Sequence, residues 1–220
     1  MASPGAGADA APDPMSWIAR LVAADARAVA QLRVVRDLAL PDWCIAAGFL
    51  RDRAWDALHG LAPRRERNDV DVLFFDPSNA GRAREADAEA RLARAFPDAA
   101  WEVRNQARMH VAKGLPPHRD TAHAMTFWLE TPTAVGIRLE ADDTLAIVAP
   151  FGVDDLLGLA CRPTPWGAAR RGDYDARIAA KRWRAHWPGL RFEEPRPRAE
   201  LPAPGWCRTD QRVGTGFSPL

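Results

Sequence analysis

The chain has little of what marks a secreted, membrane-bound or nucleic-acid-coating protein. Its three cysteines, Cys44, Cys161 and Cys207, are odd in number and far apart, which excludes a disulfide framework and matches no zinc spacing. A reducing cytoplasm is the expected location. A formal net charge of +1 leaves no broad basic surface for a polyanion. Nucleic acid is therefore not the leading partner, although a local patch stays open. Residues 1–14 are mostly Ala, Gly and Pro, with neither a positively charged start nor an apolar stretch, so no signal peptide or membrane segment is expected there. They are expected to be disordered, with Met15 as an alternative start, and no membrane partner is expected. The sequence has no internal repeat.

With 220 residues and 47% hydrophobic content, one domain with a sizeable core is the default. It is expected to span 15–192. From 193 onward Pro, Arg and Gly alternate, in Glu194-Pro195-Arg196-Pro197-Arg198 and again in Pro202-Ala203-Pro204-Gly205, a composition that reads as an extended, poorly packed tail.

The most informative stretch is Ala46-Ala47-Gly48-Phe49-Leu50-Arg51-Asp52, followed by Asn68-Asp69-Val70-Asp71-Val72-Leu73-Phe74-Phe75. The apolar run 42–47 reads as a buried strand. Leu50, Ala54, Ala57 and Leu58 then recur at helical spacing up to Gly60, which puts a helix N-terminus at Gly48. Unsatisfied N–H groups and the helix dipole make such a terminus attractive to phosphate. In an extended strand residues two apart share a face, so Asp69 and Asp71 project together, about 7 Å apart at the backbone. Val70 and Leu73 are expected to face the core. A third acid, Glu102, sits in the strand-like Ala100-Trp101-Glu102-Val103-Arg104, after a helical segment over 83–96. Hard oxygen ligands of this kind suit Mg²⁺ (or Mn²⁺), and three carboxylates beside a phosphate-facing helix end make a plausible two-metal site. The plainer alternative is that Asp69 caps a turn after Arg64-Arg65-Glu66-Arg67-Asn68 and that Asp71 decorates a solvated strand face.

The remaining pattern gives a helix over 16–38 with Ser16 as its N-cap, helices over 105–111, 121–129 and 173–187, a short one over 154–159, and strands over 133–139 and 145–149. This order is that of an α+β fold, a mixed sheet flanked by helices. His110, His118 and His123 lie close in sequence but match no common ligand spacing. Asp154 and Asp155 read as helix-start acids, with a substrate contact as the alternative. Most of the nine Trp residues read as core, with Trp183 and Trp187 on one helical stripe. Opposite them Arg177, Lys181 and Arg184 form a basic stripe, either a solvated face or a clamp on phosphate or acceptor. As exposed charges, Arg177 and Lys181 are expected to contribute little to folding.

These residues together carry a resemblance. Ala47-Gly48-Phe49-Leu50-Arg51-Asp52, Trp55-Asp56-Ala57-Leu58-His59-Gly60, Asp69-Val70-Asp71-Val72, the run 101–110, Glu130-Thr131 and Ala149-Pro150-Phe151-Gly152-Val153-Asp154-Asp155-Leu156 resemble an uncharacterised bacterial nucleotidyltransferase-like family. That family is one of the polymerase-beta-like nucleotidyltransferase superfamily, and the similarity spans roughly 43–188. The resemblance implies a polymerase-beta-like palm fold and Mg²⁺-dependent transfer of a nucleoside monophosphate from a nucleoside triphosphate. It implies Asp69, Asp71 and Glu102 as catalytic and metal-binding acids, and Gly48, Phe49 and Arg51 as the phosphate cradle. Asn105 and Arg108 fall where a strand end would meet the nucleotide, and Arg177 and Lys181 where a clamp could close. Glu130-Thr131 reads either as a support to the site or as a structural helix end. Where many active members of the wider superfamily carry serine after the helix-opening glycine, this chain carries Phe49. The acceptor stays open among a small molecule, a protein side chain and an RNA end. Two other classes stay open as well, a catalytically degenerate nucleotide-sensing or protein-interaction module, and a nucleic-acid-binding protein using Arg64, Arg65, Arg67 and the Arg177 stripe.

Overall fold

A six-stranded mixed sheet, in spatial order the third, second, first, fourth, fifth and eighth strands of the chain, forms the centre of the molecule. The computed structural model describes residues 13–62, 69–197 and 205–213. The loop carrying Arg64, Arg65 and Arg67 lies outside the described residues. The strands are β1 (Cys44–Ala46), β2 (Val70–Phe74), β3 (Trp101–Asn105), β4 (Gly136–Leu139), β5 (Thr144–Val148) and β8 (Trp206–Arg212), and a separate short pair joins β6 (Ala160–Cys161) to β7 (Arg191–Phe192). Only β2 and β3 run parallel in the large sheet. A parallel pair needs a crossover, and α4 (Ala83–Ala95) supplies it. The α+β architecture expected from the element order is the one found.

The first helical segment is two helices rather than one. Asp13 Oδ2 accepts from Ser16 N at 2.9 Å and Pro14 takes the first helical position, so α1 (Pro14–Ala23) starts before Ser16. Asp25 then caps α2 (Ala26–Arg36) by accepting from Ala28 N at 3.1 Å. Both helices, with α3 (Gly48–Leu58), lay Ile18, Val22, Leu32, Val35, Phe49, Leu50 and Trp55 on one face of the sheet, where Val70, Val72 and Phe74 meet them. Each such large apolar side chain contributes about 1.5–3 kcal/mol on burial. Leu73 corrects the sequence reading, because strand alternation puts it on the face of Asp71. There it belongs to a second, smaller core with Cys44, Ala46, Met125, Ala134 and Phe151. β4 approaches β1 closely at Gly136, where a Cβ would stand 2.8 Å from Cys44 Sγ.

Two further segments differ from expectation. The helix foreseen over 173–187 is α9 (Arg171–Lys181) followed by a 3-10 turn at Trp183–Ala185, with Arg182 in the left-handed region at φ 48° ending α9, and a short helix not foreseen, α8 (Pro165–Ala169), precedes it. Trp183 and Trp187 still reach the core, edge-on to Trp55 at 5.4 and 5.0 Å. The basic stripe is broken by that turn, and Arg184 Nε donates to Leu190 O instead. Within the Pro/Arg/Gly-rich tail, β8 pairs with β5, and Thr209 Oγ1 donates to Leu145 O at 2.9 Å. That part of the tail is sheet edge. Among the described residues no disulfide joins Cys44, Cys161 or Cys207. Among the described residues no helix is long and apolar enough to cross a membrane.

Between α5 (Gln106–Ala112) and α6 (Thr121–Met125), His110, His118 and His123 come together in space, with ring centroids 5.8 and 5.6 Å apart about the central His118. Burial pulls the His118 imidazole down to about 4; His123, His110 and Lys113 add to the fall and Asp120 opposes it. A folded-state pKa below the ordinary value of 6.5 means that the unfolded chain binds the extra proton between about pH 6.5 and 4. Stability is therefore present above that window and lost as pH falls through it. Urea unfolding at pH 7 and at pH 5 is expected to differ by an additional ~1–2 kcal/mol because of His118. The His118→Phe variant is expected to lack that component.

Candidate active site

The acids of the Asp-x-Asp pattern reach the sheet through β2. Asp69 immediately precedes it, exposed, and Asp71 is its second residue, on the face away from the main core. The parallel register pairs Asp71 with Glu102 of β3, so the two side chains leave adjacent strands on the same face. Burial pushes the Asp71 carboxyl up to about 6, the Glu102 and Asp69 carboxylates raise it further, and Arg51 and Arg177 oppose them. Three negative groups thus share one field. They do not form a closed ligand shell: Glu102 pairs with Arg104 at 3.1 Å, and among the described residues no three His, Cys, Asp or Glu side chains stand together as an ion-holding group.

Asp71 lines a cavity of about 540 Å³ together with Ala47, Thr133, Glu130, Arg177, Phe127 and Trp166, among others. Ala47 is the N-cap of α3 and has φ 54° and ψ −121°, a conformation that costs on the order of 1–3 kcal/mol in a non-glycine residue and is typical of functional turns. Its carbonyl accepts from Leu50 N and Arg51 N, so Gly48 and Phe49 carry the N–H groups that precede the first turn's bonds. The helix end therefore opens beside Asp71. Its strained residue, Ala47, is one that sequence reasoning passed over in favour of Gly48.

Other expected site residues fall elsewhere. The Phe49 side chain is 2% exposed within the main core, with the Arg53 guanidinium 4.1 Å from its ring centroid; only its backbone N–H is available at the helix end. Arg51 is buried beneath the cavity. Its Nη1 donates to Thr133 Oγ1 at 3.0 Å, its other nitrogens hold Asp52, and the guanidinium lies 4.6 Å from the Trp183 ring centroid. It acts on Asp71 through charge and on the cavity wall through Thr133. Asn105 is fully buried and spent on backbone, accepting from Asp76 N and Ala107 N and donating to Asp76 O and Asn79 O. Arg108 grips Glu85 in a different cavity, lined also by Arg82, Glu89 and Arg104. Neither Asn105 nor Arg108 is brought to the Asp71 cavity. Lys181 ends α9 and is exposed outside the lining, whereas Arg177 lines the cavity and pairs with Glu130.

Glu130 is 1% exposed yet belongs to the wall, and its neighbour Thr131 donates to Asp155 Oδ2 at 2.7 Å. Asp155 also accepts from Arg162 and Arg196, which makes it a structural hub rather than a substrate contact. Sequence reasoning did not single out Trp166 or Arg170. Thr164 with Pro165 was the available signal, an N-cap followed by proline at the first helical position.

Residues 33–192 match a family model described as nucleotidyltransferase. Among solved structures, an NMR structure described as revealing a CCA-adding enzyme head domain superposes with a TM-score of 0.73 at 31% identity, covering 81% of this chain and 95% of that one. Two structures described as tRNA-processing enzymes give a TM-score of 0.47 at 17% and 19% identity, covering 74% of this chain. This chain spans less than half of their length, 44% and 43%. No curated protein sequence matches.

Proposed function

The chain belongs to the nucleotidyltransferase family, and from that premise we propose that it transfers a nucleoside monophosphate from a nucleoside triphosphate to an acceptor hydroxyl, with Asp69, Asp71 and Glu102 at the reacting centre. The observation that carries this reading is the Asp71–Glu102 register, with Asp71 lining the cavity and its carboxyl raised by burial and by its two acidic neighbours. Stored repulsion among hard oxygen donors is relieved by a divalent cation, and the donor set fits Mg²⁺. Bound by Asp69 and Asp71, such an ion would supply neutralisation of charge developing on the triphosphate.

The chain's own residues do the rest. The N–H groups of Gly48 and Phe49 are available to the phosphates at the helix end, and Arg177, whose charge acts on Asp71, supplies positive charge from the cavity lining. The acceptor oxygen forms its bond to the α-phosphorus as the bond to the bridging oxygen breaks and pyrophosphate leaves. The hydroxyl proton passes to a carboxylate, for which Glu102, with a side chain 38% exposed, is the accessible residue. Positioning and charge neutralisation carry most of such a reaction. Likeness to a CCA-adding enzyme head domain favours an RNA end among the possible acceptors.

Phe49 supports a second reading. With its side chain in the core, the position after Gly48 offers no hydroxyl to the triphosphate, which suits a domain that binds a nucleotide without turnover. Incubating the protein with each of the four nucleoside triphosphates, Mg²⁺ and cell extract, and measuring pyrophosphate, separates the two. The transferase reading expects release with at least one triphosphate and none without Mg²⁺; binding without release assigns the sensing role.

A further inference from the structure

The Asp71 cavity has two kinds of lining. Asp71, Glu130 and Arg177 are charged, and Phe127, Trp128 and Trp166 are aromatic. The Phe127 ring meets Trp166 edge-on at 5.6 Å, and the Arg170 guanidinium lies 5.3 Å from the Trp166 ring centroid. Arg170 is held there by Asp173, whose Oδ2 accepts from Nε at 2.6 Å. Unlike Trp55, which is fully buried, Trp166 keeps part of its surface at the cavity.

This aromatic lining is built rather than incidental. Thr164 N donates to Leu129 O at 3.0 Å and Thr164 Oγ1 to Trp128 O. Glu130 bridges Pro163, and at Gly167 any Cβ would collide with the Leu129 carbonyl. The segments carrying Phe127 and Trp166 are thereby locked together by their backbones. A rigid indole with a planar cation beside it, in one cavity with the N-cap of a helix and the Arg177 guanidinium, complements a molecule that is a polyanion at one end and a flat π-system at the other.

We propose that Trp166, with Arg170, is the platform on which the nucleobase of the triphosphate stacks. The inference rests on the reading of the cavity as a triphosphate site and adds the base subsite to it. Stacking uses the π-face common to all bases, so the platform selects for a base without choosing among bases.

Calorimetry with ATP, CTP and inorganic tripolyphosphate, each with Mg²⁺, tests it on the wild type and on the Trp166→Leu, Trp166→Phe and Arg170→Ala variants. Leucine keeps bulk and removes the ring, and phenylalanine restores a ring. The wild type is expected to bind both nucleotides more tightly than tripolyphosphate. Trp166→Leu is expected to weaken both roughly 5- to 100-fold and to leave tripolyphosphate unchanged; Trp166→Phe retains most of the affinity, and Arg170→Ala loses part of it. Nucleotides binding no more tightly than tripolyphosphate to the wild type, unchanged nucleotide affinity in Trp166→Leu, or an equal loss for tripolyphosphate would each overturn the platform while leaving the triphosphate site standing. A wild type that binds none of the three overturns both.

Discussion

Replacing Arg177 by alanine is expected to lower the unfolding free energy by about 3 kcal/mol, a large share of what a domain of this size possesses. As a member of an exposed basic stripe, the residue would contribute almost nothing. The structure places its guanidinium against Glu130, which is 1% exposed, while the Arg177 side chain itself is 36% exposed. Removing the arginine leaves a carboxylate in the cavity wall without its counter-charge, and the cost of an uncompensated buried ion exceeds the value of the pair itself. The partial exposure of Arg177 puts the expected loss at the lower end of that range. Urea unfolding at neutral pH measures it, and the Glu130→Gln/Arg177→Ala double variant is expected to recover most of the loss because no charge is then stranded. Lys181→Ala, at the exposed end of α9, is expected to change stability by less than about 0.5 kcal/mol. An Arg177→Ala protein as stable as the wild type would show that water, not Arg177, satisfies Glu130.

What the sequence disclosed was whatever short-range periodicity encodes. The helix after Gly48, the helix of α4 and the strand character of Val70-Asp71-Val72 follow from spacings within one turn or one pleat, and they stand where they were expected. Long-range competition decided the rest. The helix begun at Thr121 stops at Met125 rather than Leu129, in a region where the carbonyls of Trp128 and Leu129 are taken by Thr164 from far along the chain. β8 forms from a polar stretch because β5 offers it an edge. The site divides in the same way. Asp69, Asp71 and Glu102 were visible as residue types on strands, but only the β2–β3 register puts Asp71 beside Glu102. Asn105, expected where a strand end would meet the nucleotide, is claimed by four backbone groups instead. Trp166 carried no periodic signal, since its place in the cavity lining is set by contacts between residues far apart in the chain.

The wild-type protein is expected to melt several degrees higher with Mg²⁺ and a nucleoside triphosphate than with either alone, and the Asp69→Asn/Asp71→Asn variant to show no such rise. The rise follows from mass action: a ligand at a hundred times its dissociation constant adds about 2.7 kcal/mol to the folded state. For a chain of this length that is roughly 5–10 °C. The variant's apo stability distinguishes a binding site from a structural one. Burial, Glu102 and Asp69 raise the Asp71 carboxyl to about 6, so at neutral pH its ionised form is held at a cost to the fold. The sign follows directly, since a carboxylate with a raised folded-state pKa destabilises the protein above that pKa and the penalty vanishes as pH falls below the ordinary value. Asparagine removes the charge at every pH. The metal-free double variant is therefore expected to be no less stable than the wild type at pH 7.5, and the difference between them to shrink towards pH 4. A variant that instead unfolds would make the two aspartates structural partners. If the apo stability is as expected but no triphosphate raises the wild-type melting temperature, the acids remain a repulsive cluster without a ligand, and the nucleotidyl-transfer reading falls for this chain while its family membership stands.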